Sequence, residues 1–558
     1  MKAFPFKNEK MSHICIIVLG DTGRSPRMQY HAHSFAEMNA VERVSLMGFT
    51  GEPCVASVRS HRKIQDIRIN PSDISYLRRI PLLHAVVKGV SLVISLLWNL
   101  WCLSSYDVIL IQNPPALPAL LAALLADLLP WRSSRIILDW HNLGFAMFEE
   151  RLGAKHIVVK LSKVLEMIAA QFVHKHLCVS QAMSKWLSEN FGVDALVMYD
   201  RPASSFRRGG STLKQRHELF LKLKFTHHDI FGLSFEGQNE KEKSLISSAP
   251  HIATSDIITT LQTQAIGDKI ELLNDSQRIP IVISSTSWTP DEDFNILLHA
   301  LLTVECTMTA CAVNPLYASK VLVCVTGKGP MKKAFEDEVH RYEQEGKLGR
   351  CVRVKTLWLE PEDYPVFVGC CTLGVSLHTS TSGLDLPMKV LDMFGSGLPV
   401  CAVRFPTLPE LVQHNVNGLI FNGTDGKGDE LAAQLLHCLF NVTCPSKVSA
   451  AETILKQKNI IDHLCGDNDN ATVSNESGKD LMTRLQLNVA KTKSWDENWN
   501  AVVPPAVNRL IDDRGLEELQ SRVFWFRQLF RGLGWAILFQ IALWVMQLLR
   551  LLRVNLRI

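Results

Sequence analysis

Paired cysteines are missing from this chain. Fourteen cysteines are scattered over 558 residues with no CxxC spacing, and the adjacent pair Cys370–Cys371 is poorly placed to bridge. That excludes a disulfide-stapled secreted scaffold and reads as a reduced, cytosol-facing protein with buried thiols. The sequons at Asn422, Asn441, Asn470 and Asn475 matter only in a lumenal protein and are expected to be unused. Strong charge of one sign is also lacking. A formal net charge of +4 leaves no electrostatic footprint for nucleic acid, so no such partner is expected. No secretory leader opens the sequence, because MKAFPFKNEK is polar and the HICIIVLG that follows is short and strand-like. No G-x-G-x-x-G fingerprint occurs, which removes the usual sign of a dinucleotide cofactor.

Long uncharged apolar runs are scarce too. The run Leu533–Leu549 has 17 residues without a charge, at the low end of the ~17–25 that span a bilayer. Three arginines precede it and three follow, and Gln540 and Gln547 share one face, so a span and an in-plane amphipathic helix both fit. Either reading makes residues 521–558 a basic, hydrophobic membrane-attachment tail. The segment Val86–Leu103 contains Lys88 and sits inside a domain pattern, which suits a packed helix that touches lipid.

With 47% apolar and 20% charged residues, most of the chain should fold. Its length calls for more than one domain, since single cores rarely exceed ~250–300 residues. Strand, turn and helix alternate in two separate series, which predicts an α/β fold of two Rossmann-like parallel-sheet domains facing a cleft. The first domain, 12–206, takes its strands from HICIIVLG, VERVSLMGF, YDVILIQN, RIILDW, HLCVS and ALVMY. Residues 207–279 read as a mixed interdomain region. The second domain, 280–444, takes its strands from IPIVISS, KVLVCVT, VRVKTLW, TLGVSLH, LPVCAV and NGLIF. Residues 445–493 read as a polar, partly disordered insertion, and 494–520 as a closing helix region.

Open parallel sheets bind ligands beyond the carboxyl ends of their strands. In the first domain those ends carry Asp21, Gly23, Arg24 and Arg27, then Asn113, then Asp139, His141 and Asn142. In the second they carry Ser287, the turn Gly327-Lys328-Gly329, and HTSTSGLDLPMKVLDMFGSG from His378. Pro387 suits a first helical position. Lys389 and Asp392 are three apart on one helix face. A lysine in a first helical turn opposes the helix dipole, which a bound anion would explain. An exposed lysine and a solvated aspartate on a surface helix are the competing reading. Gly327 and Gly329 suit close approach of backbone to a nucleotide, or a plain turn. No residue set demands a metal. Asp291-Glu292-Asp293 leaves a divalent cation such as Mg²⁺ open, against the reading that these acids simply favour a helix start.

Eight strings carry a family likeness. They are GDTGRSPRMQYHA from Gly20, LIQNPP from Leu110, LDWHN from Leu138 and YDRPAS from Tyr199, then SSTSWTPDEDFNILL, VTGKGP, WLEPEDYP and HTSTSGLDLPMKVLDMFGSGLPVCAV. In this order, over roughly residues 12–425, the chain resembles the chitobiosyldiphosphodolichol β-mannosyltransferase family. The resemblance implies a GT-B fold, GDP-mannose as donor, dolichyl-diphosphate-linked chitobiose as acceptor, and inversion at the cytosolic face of the endoplasmic reticulum membrane. Neighbouring dolichol-pathway mannosyltransferases are implied partners. The family carries an N-terminal anchor, whereas here Leu533–Leu549 is the expected anchor. Broader GT-B relatives place two glutamates near the donor with seven residues between them. Asp392 takes the second place, Leu384 the first, and Asp385 is one residue out of step. Those relatives also carry Arg and Lys where this chain has Ser285–Trp288.

An α-linked donor and a β-linked product require one in-line displacement, hence a base and a stabilised leaving diphosphate. Asp139, His141 and Asp21 are the base candidates. Lys389, Lys328, Asp392, Asp385, Gly327, Gly329 and Ser287 are the donor-side candidates. Gly23, Arg24, Arg27, Asn113 and Asn142 are the acceptor-side candidates. A retaining α-mannosyltransferase of the same pathway, and a catalytically silent GT-B scaffold at the membrane, are the alternatives.

Overall fold

The computed structural model describes residues 13–70, 81–103, 106–127, 134–202, 206, 209–231, 257–266, 269–275, 277–289, 292–311, 320–380, 382–423, 428–440 and 477–512. The chain divides into two compact units, one of residues 1–198 with 499–558, the other of residues 199–498.

Unit 1 is built on a seven-stranded sheet of strands β1 (His13–Asp21), β2 (Arg43–Phe49), β3 (Ile64–Ile69), β4 (Val108–Asn113), β5 (Arg135–Trp140), β6 (Lys175–Cys178) and β7 (Ala195–Val197). The order is β3-β2-β1-β4-β5-β6-β7 and every pairing is parallel. A parallel sheet covered on both faces favours continuous β-branched runs, and Ile14, Ile16 and Ile17 of β1 are fully buried. Burying each such side chain contributes about 1.5–3 kcal/mol. Helices α1 (Pro26–Glu37), α2 (Ala56–Arg59), α3 (Pro81–Cys102), α4 (Leu117–Ala126), α5 (Gly144–Leu152), α6 (Ile157–Ala170) and α7 (Gln181–Phe191) connect the strands. Strand β3 is absent from the expected set. Its sequence, IQDIRI, carries two charges and lies half-exposed at the sheet edge, which hides it from a search for apolar runs.

Unit 2 begins with α8 (Leu213–Lys222), α9 (His227–Phe231) and an antiparallel three-stranded sheet of β8 (Ile257–Thr259), β9 (Thr263–Ile266) and β10 (Lys269–Leu272). This small sheet lies in the stretch read as a patternless connection. Its strands are three or four residues long, too short to show a period. The main sheet has six strands, β11 (Ile281–Ser285), β12 (Val321–Thr326), β13 (Val352–Leu357), β14 (Leu373–Ser376), β15 (Val400–Val403) and β16 (Gly418–Phe421), in the order β13-β12-β11-β14-β15-β16. Its helices are α10 (Phe294–Cys311), α11 (Lys332–Gln344), α12 (Asp363–Val368), α13 (Met388–Gly395), α14 (Asp429–Phe440) and α15 (Gly478–Val489). Alternate residues enter two separate cores. Val282, Val321, Val323 and Val325 join one, and Ile281, Ile283, Leu322 and Cys324 join the other, as the two-residue period of a strand requires.

Of the insertion expected at 445–493, residues 445–476 lie outside the described residues, and α15 is a regular helix packed on α14. The expected closing helix is α16 (Trp495–Asp512). Within unit 1 its Trp499 is fully buried, meets Phe35 edge to face at 5.1 Å and donates its Nε1–H to His31 Nδ1 at 2.9 Å. Among the described residues no helix is long and apolar enough to cross a membrane. The run Leu533–Leu549 and the whole 521–558 tail lie outside the described residues.

Candidate functional site

Parallel strands put all their carboxyl ends on one sheet edge, and neighbouring loops diverge where the strand order reverses. In unit 1 the order reverses between β1 and β4, in unit 2 between β11 and β14. The residues singled out from the sequence gather at these two edges.

In unit 1, Asp139 is the next-to-last residue of β5 and is fully buried. Arg27, near the start of α1, grips it with two parallel bonds, Nε to Oδ2 at 2.7 Å and Nη2 to Oδ1 at 2.8 Å. Arg27 also donates from Nη1 to the Met198 carbonyl at 2.9 Å. Two imidazoles approach the same carboxylate, His31 Nε2 at 3.4 Å and His141 Nε2 at 3.1 Å. Burial pushes the Asp139 carboxyl up, but Arg27 and His141 pull it harder the other way, and it ends well below the ordinary carboxylate range. Burial holds His31 below its ordinary value, so it stays neutral, accepting at Nδ1 from Trp499. His141 differs from both, because its side chain is partly exposed.

Three sequence expectations change here. Arg27 was placed on the acceptor, yet it is buried and its guanidinium is engaged by Asp139 and Met198. Asp139 was a base candidate, yet it is buried beneath His141 and held by Arg27, which suits it to orient a base. Asn113 was also placed on the acceptor. It is buried, and its Nδ2 donates to Glu166 Oε1 at 2.8 Å and to the Asn142 carbonyl at 3.1 Å. Asn142 in turn accepts at Oδ1 from the Leu143 N–H at 2.8 Å.

Asp21 organises its own loop. Its carboxylate accepts from the N–H groups of Gly23 and Glu52, each at 2.9 Å. A Cβ on Gly23 would stand 2.2 Å from the Glu52 carbonyl oxygen, so only glycine lets the two loops meet. Arg24 remains on the surface, 3.3 Å from Glu52. Glu166 is not among the residues the sequence singles out. It sits on the buried face of α6, accepting from Asn113 and from the N–H groups of Gly144 at 2.9 Å and Phe145 at 3.2 Å. A lone acid in VVKLSKVLEMIAA was the available signal.

In unit 2, the loop after β11 turns at Trp288, which takes a left-handed φ of +54° and packs fully buried against Phe294 and Phe335. Ser287 beside it is exposed. The turn after β12 leans on this loop. Added Cβ atoms on Gly327 and Gly329 would lie 1.9 Å from the Thr286 oxygen and 2.0 Å from the Ser287 oxygen. The close approach these glycines permit is therefore to the chain's own backbone. Lys328 between them is exposed, its Nζ 3.8 Å from the ring centre of Trp358. Of the acidic triplet, Asp291 lies outside the described residues. Glu292 is buried, bonded to the Thr286 hydroxyl and the Ser287 N–H, and Asp293 caps the start of α10 through the Asn295 N–H at 3.0 Å.

Helix α13 begins one residue later than expected. Pro387 is the capping position, with φ −72° and ψ 110°, and Lys389 stands in the first turn with no side-chain cap bond ahead of it. Asp392, one turn on, is partly buried. Burial pushes its carboxyl up to about 7 against the opposing pull of Lys389. The Tyr364 hydroxyl, raised by burial and by the Asp392 charge, donates to Ser285 Oγ at 2.8 Å. Asp385 is bonded to the Ser380 and Ser382 hydroxyls with His378 Nε2 at 3.7 Å, and despite burial these partners hold it below its ordinary value. It shapes the loop before α13. A separate surface cavity of about 260 Å³ lies at the opposite end of α13, against Ser396, Gly397 and Leu398.

Two doubly wound parallel sheets, each with polar side chains gathered at its switch point, are the two-sheet architecture expected of a GT-B-type glycosyltransferase. Residues 299–441 match the family described as glycosyl transferases group 1. The human chitobiosyldiphosphodolichol β-mannosyltransferase is 36% identical over 504 residues, covering 89% of this chain and 92% of that protein. The Candida albicans enzyme of that name is 35% identical, covering 76% and 80%. The Arabidopsis thaliana UDP-glycosyltransferase TURAN is 37% identical, covering 76% and 89%. Among solved structures, Anabaena Alr3699/HepE in complex with UDP and glucose aligns with a TM-score of 0.50 at 14% identity, over 90% of this chain and 100% of that one, a likeness of fold alone. The chain belongs to the chitobiosyldiphosphodolichol β-mannosyltransferase family.

Proposed function

We propose that this enzyme transfers mannose from GDP-mannose to chitobiose on dolichyl diphosphate, with inversion, forming a β-1,4 link. Identity of 36% to the human enzyme over nine-tenths of the chain is the observation that carries this reading. The geometry supports a division of labour. His141 is the base: Asp139 accepts from its Nε2–H, which leaves Nδ1 to take the acceptor hydroxyl proton. Asp139 and Arg27 orient it. Lys389 and the N–H groups at the start of α13 stabilise the departing diphosphate, with Lys328 a further cation. Asp392 accepts from the donor ribose. Asp21 and Asp385 shape the loops around these groups. The tail 521–558 attaches the enzyme to the endoplasmic reticulum membrane with its sheets in the cytosol.

The test is transfer by purified protein from GDP-mannose to a lipid-diphosphate chitobiose acceptor, with the product digested by β- and α-mannosidase. A single β-linked mannose is expected. His141→Ala should lower kcat about 10²–10⁴-fold, while Lys389→Ala and Asp392→Ala should weaken donor binding. An α-linked product would move the chain to a neighbouring retaining step. Bound GDP-mannose without product would mark a silent scaffold, and undiminished activity in both donor-side variants would overturn the donor site.

A further inference from the structure

Helix α6 is built inside out. Its one acid, Glu166, lies on the buried face with Val159 and Ala170. At 100° per residue the outward face carries Ile157, Leu161, Leu165 and Ile168, and Ile157 is 71% exposed. A surface helix of a soluble domain shows the reverse pattern. The preceding helix α5 packs on α6 and also exposes Met147 and Phe148. An exposed apolar helix face of this kind marks an interaction surface.

Charge decides which partner fits. Lys155 and Lys160 are exposed at the tip and flank of the hairpin, Lys163 lies half-buried over the Phe145 and Trp186 rings at 5.3 and 5.4 Å, α6 exposes no acid, and Glu149 on α5 is half-buried. An apolar face edged by lysines matches acyl chains below anionic headgroups. A protein partner would have to bury these lysines or pair each of them.

We infer that the α5–α6 hairpin is a bilayer-embedding surface that brings the carboxyl edge of the unit 1 sheet to its lipid-borne acceptor. The connection to the site is covalent and short. The outward face enters lipid, while Glu166 on the inward face of the same helix holds Asn113 and the Gly144 and Phe145 amides, next to His141. This inference rests on the mannosyl-transfer reading for the identity of the acceptor, and not for the surface itself.

The test uses the full chain and the triple variant Leu161→Glu/Leu165→Glu/Ile168→Glu. Acceptor is offered in phosphatidylcholine–phosphatidylserine vesicles, or as a short-chain analogue soluble in water. In vesicles the variant's KM should rise about tenfold or more with kcat unchanged, a loss of about 1.4 kcal/mol or more in engaging the bilayer-borne acceptor. With the soluble acceptor it should match wild type. Lys155→Glu/Lys160→Glu should raise the vesicle KM only where phosphatidylserine is present. The inference is overturned if vesicle KM does not change, or if both acceptors suffer equally, which would mean a structural defect. It is also overturned if wild type is a lipid-free dimer that the triple variant dissolves, since a second copy would then cover the face. Absence of product from wild type with both acceptors would refute mannosyl transfer instead, and slower hydrogen exchange of residues 157–168 on addition of vesicles, lost in the triple variant, would still read the surface.

Discussion

Arg27 and Asp139 meet across 112 positions of sequence, and each leaves the other an uncompensated buried charge if removed alone. Arg27→Met should therefore cost about 3–5 kcal/mol in urea unfolding, and Arg27→Met with Asp139→Leu should recover most of it. Because the folded carboxyl lies below its ordinary value, this pair stabilises above the unfolded pKa near 3.9 and is lost as pH falls through the lower folded value. Asp392 has the opposite sign. Its folded value of about 7 means that its favourable share is full below about 3.9 and is lost as pH rises through about 7. Asp392→Asn should melt close to wild type at pH 4 and increasingly above it toward pH 8. Donor titrations test the same group. GDP-mannose should bind wild type more tightly as pH rises through about 7, and the asparagine variant should show no such rise.

At the scale of elements, two loops of unit 2 are made to interlock by glycine. Gly329→Ala would set a methyl 2.0 Å from the Ser287 oxygen and 2.7 Å from the Trp288 side chain. The expected loss is about 1–3 kcal/mol of stability, read as a lower melting temperature, together with weaker GDP-mannose binding through the displaced Ser287. The long covered strands were legible because burial on both faces demands apolar runs. Strand β3 and the small sheet of β8–β10 were not, because edge strands keep charge and strands of three or four residues show no period. The site loops were legible as polar strings at strand ends. Which of their members face outward was not, since Asn113, Arg27 and Asp139 look as available in sequence as His141.

Over the whole molecule, unit 1 is assembled from two distant parts of the chain, while unit 2 is continuous from 199 to 498. A donor bound through α13 should stabilise unit 2. At about 100 times its dissociation constant the gain is about 2.7 kcal/mol. Hydrogen exchange should then show slowed opening of β11, β14 and α13 on addition of GDP-mannose, with β1 and β5 little changed. Equal protection of both sheets would argue against a donor site confined to unit 2. The sequence by itself determined the two alternating α/β series, the family and the strand-end strings, because period and punctuation are local properties. Tertiary structure alone decided that Asp139 is locked by Arg27 beneath His141, that Glu166 ties α6 to the site, and that α6 turns its apolar face outward. Those outcomes depend on which groups meet at long range and which face is left uncovered, and neither is written in any one stretch of chain.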